Sequence, residues 1–155
     1  MSDIDQILDR HGLTLPQAKA PLGAYVPYVR SGNLLMISGQ GPIGASGAVV
    51  TGRLGEGLEI EDGTRAAQMA GLNIIVQIKA ALNGDFDKLV RIVRLNGFVN
   101  ATPEFTHHPA VINGASELMH DVFGARGVHS RIAVGVASLP MNWAVEIDAV
   151  IEVAG

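Results

Sequence analysis

Two runs rich in β-branched residues, residues 131–137 and 143–153, constrain the fold of this chain more than any other feature. Runs of this composition predict β-strands. Residues 138–142 separate them and contain Pro140, which suits a turn but not a central strand. The pattern predicts a β-hairpin.

Each run carries one charged residue within an apolar context. Arg131 opens the first run and Glu146 lies inside the second. Antiparallel pairing about a centre near residue 138 or 139 would place the two side chains almost opposite each other. Because an unpaired charge in a sheet is costly, the pair is either a structural cross-strand ion pair or part of a functional site.

The first half of the chain mixes short elements with two glycine- or proline-rich segments. Helical spacing of apolar residues predicts a short helix over residues 3–10. Three prolines interrupt residues 16–27, and residues 22–29 are predicted to be extended rather than helical. Residues 33–38 are a predicted strand that ends in a tight loop, and 48–50 are its candidate partner.

Two long helices and one strand complete the predicted order. The first helix is capped at residues 62–64 and ends at 83–84, and the second runs from His108-Pro109 to Gly124. Between them, residues 87–99 alternate as in a strand, with 89, 91, 93 and 95 on one face and 90, 92 and 94 on the other. This order predicts an α+β fold in which both helices pack on one face of one sheet.

Composition limits the classes of function. The chain has 155 residues and no internal linker, so we expect a single domain over 1–155 with a helical extension at 1–20. The absence of cysteine excludes thiolate chemistry and Cys-ligated metals. A net charge of −4 with 11 scattered Lys and Arg residues argues against nucleic-acid binding on electrostatic grounds.

Hydropathy suggests a partner but no membrane segment. Hydrophobic residues make up 48% of the chain, an excess that predicts burial against another subunit. No apolar run is long enough to span a membrane. The N-terminus is acidic and amphipathic rather than a signal peptide, which favours a cytoplasmic protein.

Glycines and histidines each suggest a site that the spacing does not support. Gly39, Gly41, Gly44 and Gly47 lack the Lys-Ser/Thr and the adjacent helix of a phosphate loop, so we interpret them as turn residues or as points of close approach to another ligand. No carboxylate is placed to complete a metal site with His107, His108 and His120, so no metal or cofactor is predicted.

Several stretches, taken together, resemble the reactive intermediate deaminase family (RidA, YjgF-like, endoribonuclease L-PSP) across roughly residues 22–153. The matching stretches are Gly23-Ala24-Tyr25, residues 37–40 with Pro42, the Asn113-containing helix that ends at Phe123-Gly124, residues 131–136 with Leu139-Pro140, and residues 145–147. The resemblance implies a chorismate-mutase-like fold and a homotrimer with ligand clefts between subunits.

The resemblance also implies roles for individual residues. Arg131 matches the arginine that binds the substrate carboxylate, and its guanidinium fork suits two parallel charge-assisted bonds. Glu146 matches the glutamate that orients the attacking water. The other matching pocket positions are Tyr25, Ser38, Gly39 and Asn113. The implied reaction is cofactor-free hydrolysis of a 2-imino or enamine acid to a 2-oxo acid and ammonia.

Departures from the family and simpler roles leave alternatives open. Ala133 stands where many deaminases have cysteine, and the segments 1–20 and 44–61 are longer than in the short members. A trimeric protein that binds small carboxylates without efficient catalysis is therefore the alternative, with an endoribonuclease third.

Individual residues have alternatives too. Tyr25 could anchor a loop, Ser38 could cap a turn and Asn113 could be a surface residue. His129 either enters the cleft or flanks it, and Trp143 is interpreted as a strand aromatic at the core or a subunit boundary.

Overall fold

The computed structural model describes residues 3–21 and 23–155. Leu22, the first residue of the predicted extended segment, lies outside them. The helices are α1 (Asp3–Arg10), α2 (Ile60–Ala81) and α3 (His108–Phe123). The strands are β1 (Tyr28–Ser31), β2 (Leu34–Gln40), β3 (Arg53–Leu54), β4 (Gly57–Leu58), β5 (Leu89–Asn100), β6 (Ser130–Val136) and β7 (Val145–Val153).

One five-stranded sheet in the order β1-β2-β7-β5-β6 forms the centre of the fold. Within this sheet β5 and β6 are parallel and the other neighbours are antiparallel. Strands β3 and β4 form a separate two-stranded parallel sheet. Alternate residues of β7, from Val145 to Val153, are buried against the helices. The predicted α+β arrangement, one sheet with both long helices on one face, is confirmed.

The predicted hairpin is wrong, because β5 lies between β6 and β7. Arg131 of β6 pairs with Leu95 of β5, and Glu146 of β7 pairs with Phe98 of β5. Because Leu95 and Phe98 are three positions apart, the two charged side chains face opposite sides of the sheet. The connection over residues 137–144 is long enough to cross one intervening strand, about 10 Å. It contains a 3₁₀ turn, Pro140–Asn142, rather than a tight hairpin turn. Arg131 and Glu146 are therefore not a cross-strand ion pair.

The strict alternation predicted for β5 is also wrong. The pairing with β7 shifts between Leu89 and Arg91 and again between Ile92 and Arg94. Each irregularity inserts a residue, so the buried positions become Leu89, Ile92 and Leu95. The arginines of the strand consequently stay off the helix-covered face.

The start of α2 lies upstream of the predicted cap at residues 62–64. Its N-cap is Glu59, and Asp62 serves as the reciprocal partner of a capping box by accepting a 2.9 Å hydrogen bond from the Glu59 backbone N–H. The predicted end of α2 at residues 83–84 agrees better with the structure, in which α2 ends at Ala81. The φ angles of Asn83 and Gly84 are positive, at 52° and 81°. The predicted limits of α3 at His108 and Gly124 are confirmed.

The loop after β2 differs from its prediction. Residues 48–50 do not pair with β2, whose neighbours are β1 and β7; Val49 instead bridges Ile43 within the loop. Trp143 is not in a strand, since β7 begins at Val145. It is nevertheless buried, at 8% exposure, and bridges Thr51.

A glycine allows α2 and α3 to cross closely. A Cβ at Gly114 would overlap the backbone carbonyl of Thr64, which cannot move without displacing the helix. We expect Gly114→Ala to lower the free energy of unfolding by about 1–3 kcal/mol. Glu117→Ala, at an exposed position of the same helix, is the control. Chemical denaturation measures both, and equal stability of the two variants would contradict this packing.

Candidate active site

Arg131 lies in a groove between β6 and α3. Its Nη1 donates to Asn113 Oδ1 at 2.8 Å and to Ser116 Oγ at 3.1 Å. Its Nη2 donates to the Pro109 carbonyl at 3.3 Å. Within the described residues these bonds leave the Nε–H and one Nη2–H without a protein acceptor. The guanidinium is thus held from one side and still has donors for a ligand.

His129 extends this hydrogen-bonded chain. Its Nδ1 lies 2.6 Å from the Gly127 carbonyl, which only accepts, so Nδ1 carries the proton in the neutral ring. Its Nε2 lies 2.8 Å from Ser116 Oγ and accepts the hydroxyl proton. Ser116 can then present its lone pairs to Arg131. The imidazole therefore lines the groove beside Arg131.

Glu146 lies on the opposite face of the sheet, against an irregularity in β2. The pairing of β2 with β7 shifts between Ile37 and Gln40, so Ser38 and Gly39 bulge. A Cβ at Gly39 would overlap the Glu146 carboxylate, which means that glycine lets the carboxylate lie against the backbone. Ser38 Oγ is used locally, since it donates to the Val26 carbonyl at 2.7 Å.

The surroundings of Glu146 disfavour its charged form. Desolvation by burial, and then the negative charge of Asp148, raise the pKa of the Glu146 carboxyl above 4.5. Asp148 itself accepts a 2.6 Å hydrogen bond from Asn96. No described residue donates a hydrogen bond to the Glu146 carboxylate. A half-buried carboxylate without donors is suited to accepting a proton from a bound molecule.

The predicted site residues therefore form two groups in one chain. Arg131 and Asn113 meet in the groove beside α3. Glu146 meets Gly39, and a cavity lined by Ser38, Gly39 and Tyr25 adjoins them. Tyr25 is 51% exposed.

The chain matches the family model described as "YjgF/chorismate mutase-like, putative endoribonuclease" over residues 5–152. The chain belongs to this YjgF-like family. Protein TCP17 of Trypanosoma cruzi is 49% identical over 146 residues, covering 94% of this chain and 91% of that protein. A 2-iminobutanoate/2-iminopropanoate deaminase of Dermatophagoides farinae is 30% identical over 140 residues, covering 90% and 93%.

Solved structures agree with the YjgF-like fold. The crystal structure of Atu1372 of Agrobacterium tumefaciens, a protein of unknown function, is 48% identical with a TM-score of 0.90 and covers 97% of this chain and 94% of that one.

Ser116 is a residue of this YjgF-like site that the sequence prediction missed. It lies one turn after Asn113 on α3, so both side chains reach the same face of the helix and the same guanidinium. The signal was present as an i, i+3 polar pair within an apolar stripe. Its meaning depended on knowing that β6 packs beside α3, which the hairpin prediction obscured.

The three histidines considered for metal binding do not share one site. His107 and His108 make edge contacts with Phe105, and His120 lines the groove beside Arg131. Residues 3–21 and 23–155 contain no cluster of three or more His, Asp or Glu able to hold a metal ion. The same part of the chain contains no helix of the length and apolarity needed to cross a membrane.

The neutral state of His129 is tied to stability. Burial, and then the nearby Arg131 charge, lower the pKa of His129 below 6.5 against the opposing effect of the Gly127 carbonyl. Because the unfolded chain binds a proton more readily, stability is retained above pH 6.5 and declines as the pH falls through the lowered pKa.

We expect the Tm of the wild type to fall more steeply than that of His129→Asn between about pH 7 and pH 5. His120 and Arg131 are the other charged or titratable groups lining the groove. His120→Asn is therefore the matched control, with a pH profile like that of the wild type. Parallel profiles for His129→Asn and the wild type would contradict the assignment. Differential scanning fluorimetry across this range measures all three.

Proposed function

We propose that this protein hydrolyses reactive 2-imino and enamine acids to 2-oxo acids and ammonia in clefts completed by neighbouring copies of a homotrimer. The observation that carries the proposal is the Glu146 carboxylate, half-buried, without a donor among the described residues, and placed against the bulge at Gly39. The relative named as a 2-iminobutanoate/2-iminopropanoate deaminase supports the reaction class.

The separation of the two groups supports a site that two chains share. Glu146 is on β7 and Arg131 is on β6, and β5 lies between these two strands, so they are roughly 10 Å apart across the sheet. Arg131 and Glu146 also face opposite sides. A small imino acid therefore cannot contact both within one chain. Arg131 lies on the edge strand β6, where the Glu146 group of a second copy can approach it.

The face of the sheet away from the helices offers the surface for such an assembly. No described element covers this face, and apolar side chains stand exposed on it: Val29, Leu34, Met36 and Ile132. Their exposed fractions run from 39% to 52%. Burial of an apolar sheet face against a second copy removes this area from water, which favours association.

The proposed reaction uses only groups of the protein and water. Arg131 binds the substrate carboxylate, which places C2 beside the Glu146 carboxylate of the neighbouring copy. Glu146 accepts a proton from water as the water oxygen bonds to C2 and the C=N π electrons move to nitrogen. Glu146 returns that proton to the nitrogen, which gives a neutral carbinolamine. Glu146 then takes the hydroxyl proton and passes it to the nitrogen, so that the C2–O bond becomes a carbonyl as the C2–N bond breaks and ammonia leaves. Positioning of water and substrate supplies most of the acceleration.

A carboxylate-binding protein without efficient catalysis is the second candidate. The observation in its favour is that Asn113, Ser116 and Pro109 hold Arg131 independently of Glu146. Such a protein would bind 2-oxo acids and leave imine hydrolysis at its uncatalysed rate.

One assay separates the two candidates. An L-amino acid oxidase generates 2-imino acids in solution, and semicarbazide captures the imine that is not yet hydrolysed. The proposed deaminase lowers the yield of the semicarbazone in proportion to its concentration. An unchanged yield, with a 2-oxo acid still bound in calorimetry, supports the binding protein. Size measured by light scattering tests the trimer.

A further inference from the structure

A cavity of about 170 Å³ beside Gly39 extends the candidate site. Ser38, Gly39 and Tyr25 line it on the side of the site. Its other walls are largely apolar and come from Pro21, Pro27, Ile43 and Trp143. We infer that this cavity receives the side chain of the substrate and selects an apolar group up to the size of a phenyl ring. The inference rests on the proposed function and deepens it.

The indole of Trp143 forms one wall because Gly41 lacks a side chain. A Cβ at Gly41 would lie 2.8 Å from the indole ring. The ring therefore packs directly on the Gly41 backbone, and the flat indole forms part of the cavity wall. Flat apolar walls suit aromatic and branched aliphatic groups.

Three polar side chains along the wall donate hydrogen bonds to backbone carbonyls of the protein. Asn73 Nδ2 donates to the carbonyls of Gly41, Ile43 and Met69 at 3.2, 2.8 and 3.0 Å. Gln40 Nε2 donates to the Ser38 carbonyl at 2.9 Å. The hydroxyl of Ser38 donates to Val26. A polar substrate side chain would lose its hydration here and gain few donors, which disfavours it.

The N-terminal segment closes the cavity. Lys19, Ala20 and Pro21 line it, and Lys19 is exposed, so its ammonium can remain hydrated while its stem borders the opening. Helix α1 anchors this segment, because Ile4 and Leu8 are buried in the core and Asp5 lies 3.5 Å from Lys79. The extension of the chain before β1 thereby contributes to substrate selection.

The size of the cavity sets the upper limit of the side chain. An apolar cavity of about 150 Å³ holds benzene in another protein. The volume here therefore matches a phenyl or isobutyl group, whereas a methyl group would leave most of it unfilled. Filling an apolar pocket by a few methylenes changes specificity by about tenfold or more.

Binding of 2-oxo acids tests the inference without requiring catalysis. Isothermal titration calorimetry compares phenylpyruvate, 4-methyl-2-oxopentanoate, pyruvate and 2-oxoglutarate on the full-length protein. We expect the first two to bind at least about tenfold more tightly than the last two. Pyruvate or 2-oxoglutarate binding as tightly as phenylpyruvate overturns the inference, as does a failure of all four to bind.

A cavity-filling variant makes the test specific. Ile43→Trp should reduce the preference for phenylpyruvate over pyruvate by about tenfold or more. Val49→Trp is the matched control, since Val49 pairs with Ile43 but does not line the cavity. If Ile43→Trp does not fold, Ile43→Phe takes its place. A preserved preference in the filled variant overturns the inference.

The same ligands separate this inference from the proposed function. Selective binding of phenylpyruvate by a protein that does not hydrolyse any imino acid refutes the deaminase and supports the cavity. Hydrolysis with equal kcat/KM for imino acids made from alanine and phenylalanine supports the deaminase and refutes the cavity.

Discussion

Replacement of Arg131 by alanine is expected to reduce kcat/KM for 2-imino acids by about 100- to 1,000-fold. The guanidinium supplies charge-assisted bonds to the substrate carboxylate, and Arg131 is the only Lys or Arg among the described residues that line the groove. Loss of those bonds removes both binding and orientation of C2. Steady-state kinetics in the semicarbazide competition assay measure the change.

Arg131→Lys distinguishes charge from geometry. A lysine keeps the positive charge but cannot form two parallel bonds or reach Asn113, Ser116 and Pro109 together. We expect it to remain at least about tenfold below the wild type. Full activity in either variant would refute the assignment of Arg131 to the carboxylate. Unchanged thermal unfolding of both variants would show that the loss does not come from misfolding.

Replacement of Glu146 by glutamine is expected to lower kcat by about 100- to 10,000-fold. Glutamine preserves the shape beside Gly39 but cannot accept the proton of the attacking water. The wild-type rate should fall as the pH drops through the raised pKa of Glu146, at a pH above that of an ordinary glutamate. A rate profile of kcat/KM against pH measures this. An unchanged kcat in Glu146→Gln would refute the role of Glu146 as the base that accepts the proton of the attacking water.

The same substitution should stabilise the protein at neutral pH. Since burial and Asp148 raise the pKa of Glu146, the folded state binds its proton more tightly than the unfolded state, and the charged form costs stability above that pKa. Glutamine removes the cost, so its Tm should exceed that of the wild type at pH 7. The difference should disappear below pH 4.5, where both side chains are neutral. Asp148→Asn provides a comparison, because it removes the negative charge that is the second cause of the raised pKa of Glu146.

The layer arrangement was predictable from sequence because periodicity is local. The stripe of α3 and its Pro109 and Gly124 signals predicted that helix closely. Strand order is a tertiary property that periodicity does not encode. Residues 131–137 and 143–153 look like neighbours in sequence, yet β5 offers each of them a longer buried partner. The hairpin prediction failed for this reason.

The residues of the site were found through a resemblance to a family, and their grouping came only from the structure. Arg131 is paired with Leu95 and Glu146 with Phe98, three positions apart on β5, so the two charged side chains face opposite sides of the sheet. The bulge at Ser38 and Gly39 lies against Glu146. No local sequence pattern predicts this contact. Ser116 and His129 acquire their relation to Arg131 only when β6 packs beside α3.

The position of β7 has a consequence for the order in which the fold can form. This strand is the last one in the chain, yet it pairs with both β2 and β5 and joins the two halves of the sheet. Until it is synthesised, β2 and β5 have no common neighbour, and α2 lacks one of the strands that it packs against. During translation the earlier elements therefore expose hydrophobic surface until β7 has been made. Chaperones bind nascent chains in this state, and aggregation begins from it.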